Sequence, residues 1–480
     1  MLEDIRQERI KKRQNLQSAG FDPYPANVKR TATNAEIIKD WSKFVKKTTT
    51  TIVGRVFAVR GQGKLIFLDV KDESAGIQIV FKQDSGKNFE LVRDNLDIGD
   101  FVQASGKCFV TKRGEKSIEA KELLIIIKAL RPIPSEYYGV TDPETRQRQR
   151  YLELLINPEV KESFYKKATF WNTWRTIMLE NGFLEVETPA LEHIPGGADA
   201  EPFITHHNAL DIEMYLRISL EISLKKLMVG GYERVFEIGR IFRNEGIDAE
   251  HLQDYTQIEF YWAYQNYEGL MSFIEKAYKR IIKATTGSLK TKLGDSTIDW
   301  ARAWPRIDYF AFFKKETGLD LDTINEKELT AYAKSKEIDT SKHLGRGRLI
   351  DAIFKRIRPK LIQPCFLINQ PIEVEPLAKR IAPDSNKVAR FQILAGGTEL
   401  GKGFAELNDP IDQMDRFKEQ QKLREAGDTE AQRLDESFIE AMEYGMPPMA
   451  GFGISERLFS VLMNKPIRET VFFPTLRPKN

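Results

Sequence analysis

From Thr51 to Lys128 apolar and polar residues alternate in short runs: TIVGRVFAVR, KLIFLDV, GIQIVF, FVQASGKCFV and SIEAKELLIII. A period of two sends successive side chains to opposite faces of a strand. Turns at Gly61-Gln62-Gly63 and Lys112-Arg113-Gly114 separate some of the runs. Five such strands predict an OB-type β-barrel. Ahead of them Leu2, Ile5, Arg9, Lys12 and Leu16 recur at threes and fours, which predicts a short helix ending before Gly20. The alternative is a solvated helix with no partner. Arg131-Pro132-Ile133-Pro134 is a stiff junction, because each proline restricts the residue before it. It divides the chain into an N-terminal extension (1–47), a barrel (48–134) and a large remainder (135–480).

Beyond the junction the period changes. Val160, Phe164, Trp171, Trp174 and Met178 predict one face of a long helix from Glu159 to Asn181, stopped at Gly182. Phe183 to Thr188 reads as a strand that Pro189 ends. Arg234 to Tyr264, RVFEIGRIFRNEGIDAEHLQDYTQIEFYWAY, reads as two strands joined by a charged loop. In the second strand Tyr255, Gln257, Glu259 and Tyr261 share one face, and Ile258, Phe260 and Trp262 share the other. One face suits a core and the other a site. Ala450 to Arg457 leads into Leu458, Val461 and Leu462 at helical spacing, a strand followed by a helix.

Composition narrows the classes. Over 480 residues, 41% are apolar and 30% are charged, as in globular proteins with ample core. No apolar run approaches the roughly 20 residues of a membrane span. The N-terminus mixes Glu3, Asp4 and Glu8 with basic residues and has no apolar signal core, so cytoplasm is the expected location and no membrane partner is expected. Two cysteines, Cys108 and Cys365, form neither a disulfide framework nor a metal motif. A formal charge of +3 means that a nucleic acid would have to be held by a local patch. Met1 to Lys47, with 11 Lys/Arg against 6 Asp/Glu, is one candidate.

The helix, strand and proline through Pro189, the hairpin from Arg234 and the strand–helix pair at Arg457 resemble, in that order, motifs 1, 2 and 3 of the class II aminoacyl-tRNA synthetases. The segment IPGGADAEPFITHHNALDIEMYLRISLEISLKKLMVGGYERVFEIGR, with LIQPCFLINQPIEVEPLAKR and FAELNDP, is similar to the bacterial-type lysyl-tRNA synthetases of that class. The resemblance implies an α+β fold: an antiparallel-sheet catalytic domain behind an N-terminal OB anticodon-binding domain. It implies activation of L-lysine with ATP to lysyl-adenylate and pyrophosphate, then transfer to the 3′ end of tRNA(Lys). A homodimer built through the motif 1 segment and Mg²⁺ accompanying ATP are implied as well.

Residue by residue, the resemblance puts Arg243 and Arg457 at the ATP phosphates as the catalytic pair. Glu245, His251, Tyr255, Glu399 and Gly453 complete the ATP site, with Glu399 also the metal carboxylate. Glu221 and Glu406 would engage the lysine ammonium, Tyr261 and Phe404 would shape the pocket, and Gly197 and Glu259 would lie at the α-amino end. In the barrel, Phe67 and Gln78 would contact the anticodon, against the plainer reading that a barrel aromatic packs in the core. Three departures stand out. Motif 3 is one glycine short, Gln392 replaces a metal-binding glutamate, and Lys402 replaces a pocket asparagine. If 401–407 is a strand, Lys402, Phe404 and Glu406 share a face, so Lys402 would pair with Glu406, reach toward the triphosphate or point into solvent.

Two alternatives remain. An aspartyl- or asparaginyl-tRNA synthetase shares the architecture, and Lys402 would suit an acidic substrate. Glu221 and Glu406 would repel one. A non-catalytic tRNA-binding relative would account for Gln392, but has no need of arginines that read phosphate.

Overall fold

The computed structural model describes residues 2–61, 63–84, 87–134, 142–246, 251–340, 345–383 and 385–478. Gln62 of the first barrel turn, residues 247–250 of the charged hairpin loop and residues 135–141 beside the expected domain boundary lie outside them. The chain forms two compact units, Met1–Thr141 and Asp142–Asn480.

In the first unit the alternating runs become β1 (Thr50–Arg60), β2 (Leu65–Lys71), β3 (Gly76–Lys82), β4 (Phe101–Val110) and β5 (Lys116–Ile127). They close a barrel in the order β1-β2-β3-β5-β4, with β3 and β5 parallel and the other paired neighbours antiparallel. Ile66, Leu68 and Val70 point inward from β2, every second residue as the pattern required. Helix α1 (Leu2–Ser18) is not free. Leu16 joins the barrel core, and Arg9 donates to the carbonyls of Ala129, Arg131 and Ile98 at 2.9, 3.1 and 3.1 Å. A further helix, α2 (Phe89–Asn95), was not evident from the sequence; Phe89 and Val92 pack into the same core.

The second unit is built on an eight-stranded sheet. Its strands are β6 (Leu184–Glu185), β7 (Arg234–Phe242), β8 (Asp254–Ala263), β9 (Arg306–Asp308), β10 (Cys365–Pro371), β11 (Lys387–Ala395), β12 (Thr398–Ala405) and β13 (Met449–Ser455). Their order is β9-β10-β11-β12-β13-β8-β7-β6. Only the edge pairs β6–β7 and β9–β10 are parallel; the inner pairs are antiparallel. On one face Phe236, Ile258, Phe260, Phe391 and Phe452 meet α3 (Pro158–Glu180) and α5 (Tyr267–Thr286) through Trp174, Met178, Ile274 and Tyr278. Helix α5 starts where the Asn266 side chain accepts from Gly269 N and stops at left-handed Gly287. Against the other face lie α4 (Glu221–Val229), α7 (Pro410–Glu425) and α8 (Glu436–Glu443). Between them, α6 (Gly345–Ile357) packs Ile350 and Ile353 into a separate core with Phe313 and Leu367.

The shortened strand-to-helix joint is filled by one residue. After β13 only Glu456 precedes α9 (Arg457–Met463). Its buried carboxylate accepts from Thr256 N at 3.0 Å and pairs with Lys167 of α3. Side-chain contacts thus hold a junction that lacks the flexible glycine.

Candidate active site

On the face of the sheet away from the α3–α5 core is a cavity of about 820 Å³. Its lining brings together Gly197, Glu221, Arg243, Glu245, His251, Tyr255, Glu259, Tyr261, Glu399, Phe404, Glu406, Gly453 and Arg457. These residues span 261 positions of sequence and meet because β8, β12 and β13 are neighbours. In β8 the two faces divide as expected: Tyr255, Gln257, Glu259 and Tyr261 line the cavity, while Ile258 and Phe260 are core and Trp262 packs against it.

At one end Glu259 is firmly placed. Its Oε1 accepts from Ser219 Oγ (2.7 Å), Leu220 N (3.0 Å) and Gln257 Nε2 (2.6 Å), and its Oε2 accepts from Tyr261 OH at 3.2 Å. Gly197, at φ +82°, leaves room there that a Cβ would take from Glu221 Cβ, 2.8 Å away. Deeper lie Glu221 and Glu406, both buried. The structure adds what the sequence reading passed over: Lys225, wholly buried one turn along α4, sets its Nζ 2.5 Å from Glu221 Oε1 and 2.5 Å from Glu406 Oε2. The rings of Phe404, Phe438 and Tyr261 surround that ammonium at 5.4, 5.9 and 6.0 Å. Burial pushes Glu221 up to about 7 against the pull of Lys225. Burial likewise raises Glu406 well above the carboxylate range. Burial opposes the charge on Lys225, but the two glutamates hold its pKa above the usual value. Glu406 Oε2 is taken by Lys225, and Glu406 Oε1 has no hydrogen-bond donor among the described residues. At Gly451 a Cβ would come within 2.3 Å of Glu406 Oε1, so glycine keeps that carboxylate open.

The other end is cationic. Arg243 lies over the Tyr255 ring at 5.7 Å and donates from Nε to Ile218 O at 3.2 Å. Burial opposes its charge, yet Tyr255, Glu245, Glu259 and Asp199 hold it on. Arg457 Nε is buried with no acceptor among the described residues, a donor available to an anionic ligand. Glu245 and His251 flank the undescribed residues 247–250 and also line the cavity.

Two of the departures are now explained locally. Gln392 Nε2 donates to Glu399 Oε2 at 2.7 Å, so the amide occupies an oxygen that a cation would want. Among the described residues no three His, Cys, Asp or Glu side chains are grouped to hold a metal. A single carboxylate suits Mg²⁺ that arrives on nucleotide phosphates, and does not make a cage of protein ligands. Lys402 does not pair with Glu406, although it lines the cavity. Its Nζ donates to buried Glu375 at 3.0 Å, and Arg390 stands 3.4 Å from the same carboxylate oxygen. Burial would raise Glu375, but Lys402 and Arg390 hold it below the ordinary value.

Sequence reading also missed Asp199 and Arg348, which pair across the cavity wall at 3.0 Å, and Asp428, 2.8 Å from Arg348. Their separation in sequence offered no periodic signal. Lys225 did carry one, an i,i+4 relation to Glu221. In the barrel, Phe67 and Gln78 project from the outer sides of β2 and β3, between inward-facing Ile66, Leu68, Ile77 and Ile79. Phe67 is therefore half-exposed and outside the core, and Gln78 accepts from Ser117 Oγ at 3.0 Å.

Residues 142–477 match the family described as tRNA synthetases class II (D, K and N), and residues 50–126 match the OB-fold nucleic acid binding domain. The chain is 41% identical to the lysine–tRNA ligase of Roseiflexus castenholzii, across 100% of its own length and 99% of the relative's. It is 41% identical to those of Bacillus subtilis (100% and 98%) and Moorella thermoacetica (99% and 98%).

Proposed function

We infer the reaction from kinship: this chain belongs to the class II lysyl-tRNA synthetases, and it joins L-lysine to tRNA(Lys) at the expense of ATP. The observation that carries the reading is a single cavity with buried carboxylates at one end and arginines at the other. That polarity suits an amino acid with a cationic side chain laid against a nucleotide.

The lysine α-carboxylate attacks the α-phosphorus in line, and pyrophosphate leaves with the electron pair of the broken P–O bond. Arg243 and Arg457 stabilise the charge that builds on the phosphoryl oxygens, since a guanidinium offers paired donors in fixed geometry. Glu259 receives the α-ammonium beside Gly197, and Tyr255 stacks on adenine with Glu245 and His251 nearby. Glu221 and Glu406 take the side-chain ammonium, between Tyr261 and Phe404. Mg²⁺ bound by the phosphates would neutralise charge, with Glu399 as its protein ligand. The 3′ hydroxyl of tRNA then attacks the activated carbonyl and AMP leaves. Phe67 and Gln78 are assigned to the anticodon, where a half-exposed aromatic offers a stacking surface. The protein acts in the cytoplasm as a homodimer.

Pyrophosphate exchange into ATP, measured with each amino acid, tests the substrate. Lysine alone should support rapid exchange, and Arg243→Ala or Arg457→Ala should slow it about 10³-fold. Aspartate or asparagine in place of lysine would overturn the assignment, and near-normal exchange in either arginine variant would overturn its role. The engagement of Lys402 by Glu375 weighs against an acidic substrate, because that cation already has a buried partner.

A further inference from the structure

Lys225 is a lysine side chain held inside the pocket assigned to lysine. Its ammonium lies between the same two carboxylates that would receive the substrate, so it must either compete with the substrate or be part of the recognition. Three observations favour the second. Helix α4 and the faces of Tyr261, Phe404 and Phe438 fix the Lys225 ammonium. Each glutamate keeps a second oxygen, and Glu406 Oε1 has no hydrogen-bond donor among the described residues. The space beside Glu406 Oε1 is kept open by Gly451.

We propose that Lys225 is a specificity-determining countercharge: it cancels one of the two pocket carboxylates permanently, leaving one net negative charge that a single primary alkylammonium side chain neutralises. The proposal rests on the reading of Glu221 and Glu406 as the ammonium site. Burial favours the protonated carboxyls in the empty pocket, and an arriving ammonium favours their ionised forms; with both ionised and Lys225 in place, a lysine substrate brings the cluster to zero charge. A neutral side chain of the same length would leave one buried charge unpaired, which is strongly disfavoured. Without Lys225, the cation that favours their ionised forms, the two adjacent buried carboxyls would keep at least one proton more firmly near neutral pH. Lysine would then have to expel that proton to bind.

The charged and titratable groups around the cluster are Glu221 and Lys225 on α4, Glu259 and Tyr261 on β8, Lys402 on β12, Glu406 just after it, and Glu375 before β11. Lys225→Met, which keeps the length and apolar bulk, acts on this set without touching the arginine end. Steady-state exchange with the full-length enzyme should show KM for lysine raised about tenfold or more at pH 7, with KM for ATP unchanged. The defect should shrink as pH rises toward 9, where the second carboxylate ionises unaided. Glu221→Gln alone should also weaken lysine, at every pH. Combining Glu221→Gln with Lys225→Met restores one net negative charge, so the double variant should bind lysine better than Glu221→Gln does.

A lower KM in Lys225→Met would mean that the residue competes with substrate, and would overturn the proposal. An unchanged KM, or a rise independent of pH and not relieved in the double variant, would assign Lys225 to structure alone and overturn it equally. If Lys225→Met fails to fold, the comparison of Glu221→Gln with the double variant still decides, because the latter removes both members of a buried pair. Unaltered lysine use in Glu221→Gln would instead remove the pocket assignment beneath the proposal.

Discussion

Glu192, outside the cavity, shows how burial alone sets a residue's behaviour. One of its oxygens is buried without a hydrogen-bond partner among the described residues, and burial pushes its pKa up to about 8, against the pull of Arg217 and Lys226. The folded protein thus keeps a proton that the unfolded chain releases above pH 4 to 5. Stability from this group is full below the unfolded pKa and is lost as pH rises through about 8. Glu192→Gln, which cannot ionise, should match the parent near pH 4 and become the more stable by about 2 to 4 kcal/mol by pH 8.5. Thermal melts across that range check it; a constant difference would mean that the carboxyl is ionised in the fold. Residues of the site were legible where a strand's period or a family motif marked them, as with Tyr255, Glu259 and Tyr261. Lys225 stands beside Lys226 on a charged stretch of helix, and sequence does not reveal that α8 packs against that helix. Glu375 and Asp199 become site residues only when distant segments meet, and nothing local marks them.

At the scale of elements, the N-terminal helix and barrel form one structure through a buried charge cluster. Lys128, fully buried, ties Asp97, Asp100 (2.7 Å) and the carbonyl of Asn95 (2.7 Å). Lys12 of α1 reaches Asp97 at 2.8 Å. Lys128→Met would leave Asp100 without its counter-ion inside the core and should destabilise the N-terminal unit by about 3 to 5 kcal/mol. Amino-acid-dependent pyrophosphate exchange, which depends on the second unit's cavity, should persist under conditions where that unit stays folded. Hydrogen exchange of the β1–β5 amides reads the first effect; unaltered protection would show that the cluster is dispensable. The barrel strands were legible because alternation and turn residues agree. Helix α2 was not, since seven residues give barely two turns of periodicity. Neither was the docking of α1: Arg9 reads as a solvated basic position until its carbonyl partners, about 90 to 120 residues away in sequence, are in place.

For the whole molecule, the unpaired edge of the catalytic sheet matters most. Among the described residues strand β6 pairs only with β7, through two residues, and its outer side has no neighbouring strand. An open edge with apolar side chains invites association with another chain. Phe183 is buried in the core, whereas Leu184 beside it is 47% exposed. Leu191, Ile194, Ile204 and Leu210, in the stretch that follows, are 42%, 37%, 60% and 62% exposed. So many large apolar residues in one segment exceed the scatter of single exposed side chains expected on a monomer's surface. A twofold dimer would cover each copy's segment with its partner's, using one self-complementary patch and closing the assembly at two. Placing like charges opposite each other across such an axis is costly, so Leu184→Asp with Ile204→Asp should shift sedimentation from dimer to monomer. Neither side chain lines the cavity, and both are already in contact with water, so the folded unit should survive. The segment runs directly into Gly197 and Asp199 of the cavity wall, so separation of the subunits should also lower lysine-dependent exchange. A parent protein that sediments as a monomer, or a charged variant that remains dimeric, would place the contact between subunits elsewhere.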